Sequence, residues 1–304
     1  MDLAIVAEGL EFPEGPIWME DGSVVVVETA GGRVTRVKAD GGKQVIATTG
    51  GGPNGAAIGP DGKIFVCNNG GFSWSRINGA LFPGHQPEDY SGGRIEVVDI
   101  NTGKVDRLYD NCNGLALRGP NDIVFDSHGG FYFTDAGKIR MHDVDQGGIY
   151  YAKADGSSIK TVAYGLLHPN GCGLSPDGKT LYVALTIERI LLAFDLVAPG
   201  EAAPTSLILP GRPVASFPAR QLLDSLAVTA DGQVCVAAII ERHGVVSVDP
   251  KTGVVTDYPT PDMLTTNICF GGANMQDAWI TLSGAGRLAK TRWERSGLRL
   301  AYYA

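Results

Sequence analysis

Apolar and polar positions alternate along most of this chain in short runs, and the runs come in pairs joined by tight turns. One phrase recurs six times: a polar residue at the mouth of an apolar run, an Asp-Gly or Gly-Gly type of turn, then a second apolar run. The copies read FPEGPIWMEDGSVVVVET from Phe12, GGPNGAAIGPDGKIFVCNN from Gly51, RGPNDIVFDSHGGFYFTDA from Arg118, HPNGCGLSPDGKTLYVALT from His168, LLDSLAVTADGQVCVAAI from Leu222 and TTNICFGGANMQDAWITLS from Thr265. Period-two alternation marks half-buried strands, and self-similarity on this scale marks a repeat architecture. Between the copies, GGRVTRVKADGGKQVIA, GGRIEVVDINTGKVDRLY, GGIYYAKADGSSIKTVAY and HGVVSVDPKTGVVTDY each add two further runs around a glycine-bearing turn. Four strands per unit and six units predict an all-β, six-bladed β-propeller of antiparallel strands, a single domain over 1–304. The stretch from Leu3 to Val6 and the tail from Leu298 to Tyr303 are expected to complete one blade together, which protects strand edges. The regular period sets aside a pair of β-sandwiches, and no segment carries a long 3.6-residue period.

The leading polar residues are Glu14, Asn54, Asn121, Asn170, Asp224 and Asn267, spaced 40, 67, 49, 54 and 43 positions apart. Only the second interval is long. It holds FSWSRINGALFPGHQPEDYSGG, Phe72 to Gly93, which lacks clean alternation and reads as an inserted, lid-like loop. Phe72, Trp74, Arg76, His85 and Tyr90 give that loop aromatic surface with a few polar handles, the composition of a small-molecule pocket.

Charge narrows the partners. A net charge of −8 with no basic run argues against a nucleic-acid ligand, which is bound through clustered Lys and Arg. No long uninterrupted apolar stretch and no signal-peptide pattern are present, so the expectation is a soluble, cytoplasmic protein with no membrane partner, a monomer or small homo-oligomer. The five cysteines form no CxxC pair and are read as reduced thiols, Cys67 and Cys235 as small buried hydrophobes.

GLSPDGKT, from Gly173 to Thr180, fits the phosphate-loop pattern but is rejected. That motif needs a helix after it, whereas the strand-like LYVAL follows, and IGPDGKIF and VTADGQVC repeat the same hairpin without the motif. There is no GxSxG elbow and no HExxH, and the five histidines lack ligand spacing.

In a propeller the first strand of each blade lines the channel, so the six leading residues form a ring about the axis. A single Asn before Gly or Asp is an ordinary turn residue, but six aligned positions held by Glu, Asn, Asn, Asn, Asp and Asn are costly to bury unless paired. No Lys or Arg stands at the equivalent positions. A divalent cation would resolve this, and oxygen donors alone suit hard ions such as Ca²⁺, Mg²⁺ or Mn²⁺.

FPEGPIW, GPNDIVFDSHGGFYFTD, HPNGCGLSPDGKTLYV, LLDSLAV and NICFGG resemble the motifs of the SMP-30/gluconolactonase/LRE family of six-bladed propeller lactonases, over nearly the whole chain. The resemblance implies one divalent metal, Ca²⁺ first with Zn²⁺, Mg²⁺ and Mn²⁺ as alternatives, held by Glu14, Asn121, Asn170 and Asp224. It implies hydrolysis of a small lactone by metal-activated water, and in some members the residue matching Asn121 contacts substrate. Asp224, a carboxylate beside the metal, is the expected general base, and Asn54 of the ring with Trp74, Arg76, His85 and Tyr90 of the insertion are further expected substrate contacts. Sugar-lactone members often carry an arginine two residues before the position of Asn121; here that residue is Gly119, beside Arg118. The departure leaves phosphotriesterase-like chemistry on the same metal open; a non-catalytic ligand-binding propeller is the other alternative, and Glu14 with Asp224 speaks against it.

Overall fold

In runs such as Val24–Glu28 four successive side chains are valine, because both faces of a propeller sheet are covered by neighbouring sheets. A computed structural model describes residues 1–205 and 210–303. It contains six antiparallel blade sheets, each with its first strand innermost, and two separate two-stranded hairpins. Blade 1 is Pro13–Trp18, Val24–Glu28, Arg33–Val37 and Lys43–Thr48. Blade 2 is Pro53–Ile58, Ile64–Asn68, Arg94–Val98 and Val105–Tyr109; blade 3 is Pro120–Phe125, Gly130–Asp135, Gly147–Lys153 and Ile159–Leu166. Blade 4 is Pro169–Leu174, Thr180–Leu185 and Ile190–Ala198, edged by Arg212–Ser216 and by the short Glu201–Ala202. Blade 5 is Gln221–Val228, Val234–Ile240, Gly244–Val248 and Val255–Pro259. Blade 6 takes Thr265–Gly271, Asp277–Leu282 and Arg287–Arg292, and its outermost strand is Ala4–Ala7.

Apolar clusters lie between each neighbouring pair of blades. Ile17, Val25 and Val27 of blade 1 pack on Ile64, Val66 and Val98 of blade 2, while Val24 and Val26 face Trp279 and Leu288 of blade 6. Strand alternation thus feeds two cores from one strand. All five cysteines are buried free thiols within these layers.

Two expectations change. The tail from Leu298 to Tyr303 joins no strand: Leu298 N donates to Val228 O, Tyr303 stacks on Trp18 at 6.5 Å, and the tail lies across the end of the channel opposite the ring. There it floors a cavity of about 70 Å³ lined by inner-strand residues such as Ile17, Phe125 and Leu174. The inserted segment is not a plain loop, because Asn78 and Gly79 (φ 51° and 85°) turn Trp74–Ile77 back onto Ala80–Pro83. An Asn-Gly pair at positive φ is a strong hairpin signal. The rejected phosphate-loop match is a strand-to-strand turn, with Ser175 Oγ bonded to Asp177 Oδ1 and Thr180 N at 2.6 and 2.9 Å, and Thr180–Leu185 following. No helix among the described residues is long and apolar enough to cross a membrane.

Candidate active site

Each inner strand breaks its pairing register at or immediately beside its leading polar residue: at Glu14, Asn54, Asn121, Asn170, Asp224 and Asn267. A β-bulge bends the strand and re-aims a side chain, which is how six ladder positions turn toward one axis. The strands can close on each other there because small residues follow the ring. A Cβ at Gly171 would lie 2.7 Å from Asp224 O, and one at Gly55 would strike Asn121 O.

Five ring residues are buried, and Asp224 is half-buried, with part of its surface open. Glu14 Oε2 accepts from Gly15 N at 3.0 Å and from Asn267 Nδ2 at 2.9 Å. Asn267 spends its own Oδ1 on Ile268 N at 2.8 Å, so its part is to hold Glu14. Asn170 Nδ2 donates to Thr186 Oγ1 at 3.2 Å, and the same side chain supports Asp224. Asp122, next to the ring, accepts Ile123 N and Cys172 N at 2.9 and 3.0 Å and so ties blade 3 to blade 4.

Burial raises the carboxyls of Glu14, Asp122 and Asp224. Asp122 is pushed up to about 7, by burial first and then by the negative charge of Glu14. Asp224 stands well above the usual carboxylate range, again through burial first and then Glu14. Like charges placed together favour the neutral forms unless a cation intervenes.

Nine buried side-chain nitrogen or oxygen atoms among the described residues lack a partner, and all except Trp293 Nε1 lie at the ring or in segments directly above it. Asn121 Oδ1 and Asn170 Oδ1 are two of them. Orphans concentrated at one end of an otherwise satisfied protein mark a ligand site. Among the described residues no three His, Cys, Asp or Glu side chains converge to hold a metal by themselves. The residues that fit a cation are therefore two carboxylates with two amide oxygens, a hard-ion donor set.

The insertion spans the mouth. Leu81 N bonds Gly284 O of blade 6, Leu81 and Trp74 pack with Phe12 and Leu264, and on the other side Gln86 N bonds Ile139 O beside blade 3. Trp74 stands 5.0 Å from the Phe12 ring. Tyr90 is committed to structure, donating to Arg118 O at 2.6 Å and accepting from Gly93 N at 3.1 Å. Arg76 and His85 are exposed, Arg76 over its own turn at Gly79 O, and neither joins the buried cluster. Gly119 has a physical reason to lack a side chain, since a Cβ there would collide with Gly137 O; Arg118 instead pairs with Asp145 at 3.2 Å.

Sequence reasoning missed Asp122, Asn69 and Lys138. The last two follow the second strands of blades 2 and 3, where chain leaving the blade comes to the mouth, and Lys138 is the lone cation in FYFTDAGK.

A sequence profile described as the SMP-30/Gluconolactonase/LRE-like region matches residues 12–284. A gluconolactonase of Zymomonas mobilis is 26% identical over 203 residues, 60% of this chain and 51% of that one. Lactonase drp35 of Staphylococcus haemolyticus is 30% identical over 241 residues, 77% and 65% of the two chains. This chain thus spans about half to two thirds of the length of those relatives. A solved gluconolactonase of Xanthomonas campestris superposes with TM-score 0.75 at 25% identity, covering 95% of this chain and 89% of its own. A calcium-binding regucalcin of Agrobacterium tumefaciens shares the fold, with TM-score 0.76 at 17% identity and 99% coverage of both. The chain belongs to the SMP-30/gluconolactonase/LRE-like family.

Proposed function

We propose that this protein is a cation-dependent hydrolase that opens a small lactone, derived from a sugar acid or another catabolic acid. One observation carries the reading: Glu14 and Asp224 share the channel mouth with the unpartnered oxygens of Asn121 and Asn170. The relatives named gluconolactonase and lactonase drp35 support the same chemistry. A divalent cation held by those four residues, calcium as first choice, would polarise the lactone carbonyl and stabilise charge developing on its oxygen.

The chain's own groups then divide the work. Glu14, fixed on Oε2 by Gly15 and Asn267, holds charge in one place. Asp224 is the carboxylate with an open face, so it takes a proton from the attacking water and returns it to the ring oxygen as the C–O bond breaks. Asn54 and Asn121 offer amides to the lactone's oxygens. The hairpin bearing Trp74 lies over the mouth and the tail closes the far end, so the site is sheltered from bulk water.

The test is acid release, followed with a pH indicator, from aldonolactones and from aliphatic and aromatic lactones. Turnover that EDTA abolishes and calcium restores is expected. Protein that retains a stoichiometric cation yet opens none of the panel would overturn the reading.

A further inference from the structure

Asn69 is 1% exposed, at the point where the chain leaves the second strand of blade 2 for the inserted hairpin. Its Oδ1 accepts two hydrogen bonds, from Lys138 Nζ at 3.1 Å and from Gly71 N at 2.9 Å. Turning the amide over would set its NH₂ against those two donors, so the orientation is settled by chemistry. Its Nδ2 is buried with no acceptor. A buried N–H without a partner is costly, and proteins rarely keep one without a use.

Lys138 is built to hold that amide. It is itself 1% exposed, donates also to Gly71 O at 2.7 Å, and lies 4.1 Å from the Phe72 ring and 5.5 Å from the Tyr90 ring. Its Nζ therefore clamps the foot of the insertion and aligns Asn69 in the same stroke. The amide lies against Gly52, two residues before Asn54 of the ring: a Cβ at Gly52 would be 3.1 Å from Asn69 Cγ. His168, the last residue before Pro169 and Asn170, presents a second unpartnered atom, Nδ1, on the same end of the molecule.

We propose that Asn69 is a specificity-determining residue whose NH₂ donates to a hydroxyl or ring oxygen of the bound lactone, with Lys138 as the residue that positions it. The inference rests on the lactone reading of the ring; it adds that the substrate carries oxygen substituents beyond its ester. Nδ2 is closed off from solvent in this structure, so a ligand reaches it only when the segment that follows Asn69 shifts. Ser73 and His85 are bonded across the base of that hairpin (Ser73 N to His85 O, 2.9 Å), so the segment between them moves as a unit, and Gly70 and Gly92, at φ 81° and 85°, flank it.

Asn69→Asp is the decisive variant. It keeps the oxygen that Lys138 and Gly71 use and turns the donor into an acceptor, so a purely structural Asn69 tolerates it. The probes are two neutral, hydrolysis-resistant rings, D-glucono-1,5-lactam and unsubstituted δ-valerolactam, titrated calorimetrically into calcium-loaded protein. We expect gluconolactam to bind wild type more tightly than valerolactam, and Asn69→Asp to weaken gluconolactam at least tenfold while changing valerolactam less than twofold and leaving the melting temperature in place. Lys138→Met is expected to weaken gluconolactam in the same sense. Equal binding of the two lactams by wild type, or equal effects of Asn69→Asp on both, overturns the proposal. Asn69-dependent gluconolactam binding by a protein that opens no lactone would sink the hydrolase reading and leave this one standing.

Discussion

Asn267 has no counterpart among the unpartnered oxygens, and that makes Asn267→Ala informative. The substitution removes the 2.9 Å bond from Nδ2 to Glu14 Oε2 and leaves Gly15 N at 3.0 Å. A hydrogen bond to a charged group contributes about 1.5–3 kcal/mol, and loss of a partner that orients a metal ligand costs about 10- to 100-fold in metal affinity. The two figures agree, since that range corresponds to about 1.4–2.8 kcal/mol. Calorimetric titration of calcium into the metal-free protein should therefore give a dissociation constant raised by one to two decades. Thermal melts provide the cross-check. With an unfolding entropy of roughly 2 cal/mol/K per residue, a chain of 304 residues shifts by about 3 °C for about 2 kcal/mol, and the shift should be larger with calcium than without. A variant that melts lower yet binds calcium with wild-type affinity would refute the assignment, because Asn267 would then be packing alone.

Three further outcomes are expected. Asp224→Asn should cut lactone turnover by about 10²- to 10⁴-fold while the protein stays folded, measured by acid release and near-ultraviolet circular dichroism; a rate within twofold of wild type would remove Asp224 from the mechanism. Lys138 is pushed down from 10.5 to about 7, chiefly by burial, so between those values the unfolded chain binds more protons and stability climbs with pH. Urea unfolding of wild type and Lys138→Met should accordingly diverge by about 3 kcal/mol in favour of wild type between pH 7 and about pH 9.5, and a constant difference would show that burial does not depress Lys138. Gly119→Arg, which restores the arginine of sugar-lactone relatives, should cost about 3 kcal/mol through collision with Gly137 O rather than create a clamp, and wild-type stability in that variant would refute the close approach.

Architecture was legible in the sequence because the blade repeat is written twice, in the alternating runs and in the turns between them. The ring was legible for the same reason: Glu14 and Asp224 stand where Asn121 and Asn170 stand in other copies. What stayed hidden depends on contacts between distant segments. The bulges at the ring follow from packing at the axis, and the strands' own composition does not announce them. Asp122 reads as half of an Asn-Asp turn until Cys172 N, 50 residues away, is seen to donate to it. Asn69 and Lys138 meet across 69 residues, and neither lies in a recognisable motif. The hairpin at Asn78 and Gly79 is written as an Asn-Gly pair, but the prolines and glycines around it mask the alternation of its strands. Arg76 and His85 are exposed on the insertion, a placement that residue type alone does not fix.

The propeller can carry buried carboxylates and orphaned amides because its stability is drawn from elsewhere. Each neighbouring pair of blades has its own apolar layer, with Phe131, Phe133 and Ile95 between blades 2 and 3 and Val234, Val236 and Leu223 between blades 4 and 5, all fully buried. Burying one such side chain contributes about 1.5–3 kcal/mol, so a few of them offset the cost of an unpartnered amide or a raised carboxyl at the ring. The layers lie outside the ring, and the tail closes the far end of the axis over a cavity that Asp122 and Asn267 also line. Removing the cation should therefore release strain among Glu14, Asp122 and Asp224 by protonation rather than by unfolding. That separation also explains the placement of the specificity elements: the hairpin and the Asn69–Lys138 pair hang on segments between strands, where side chains can change without disturbing any layer between blades.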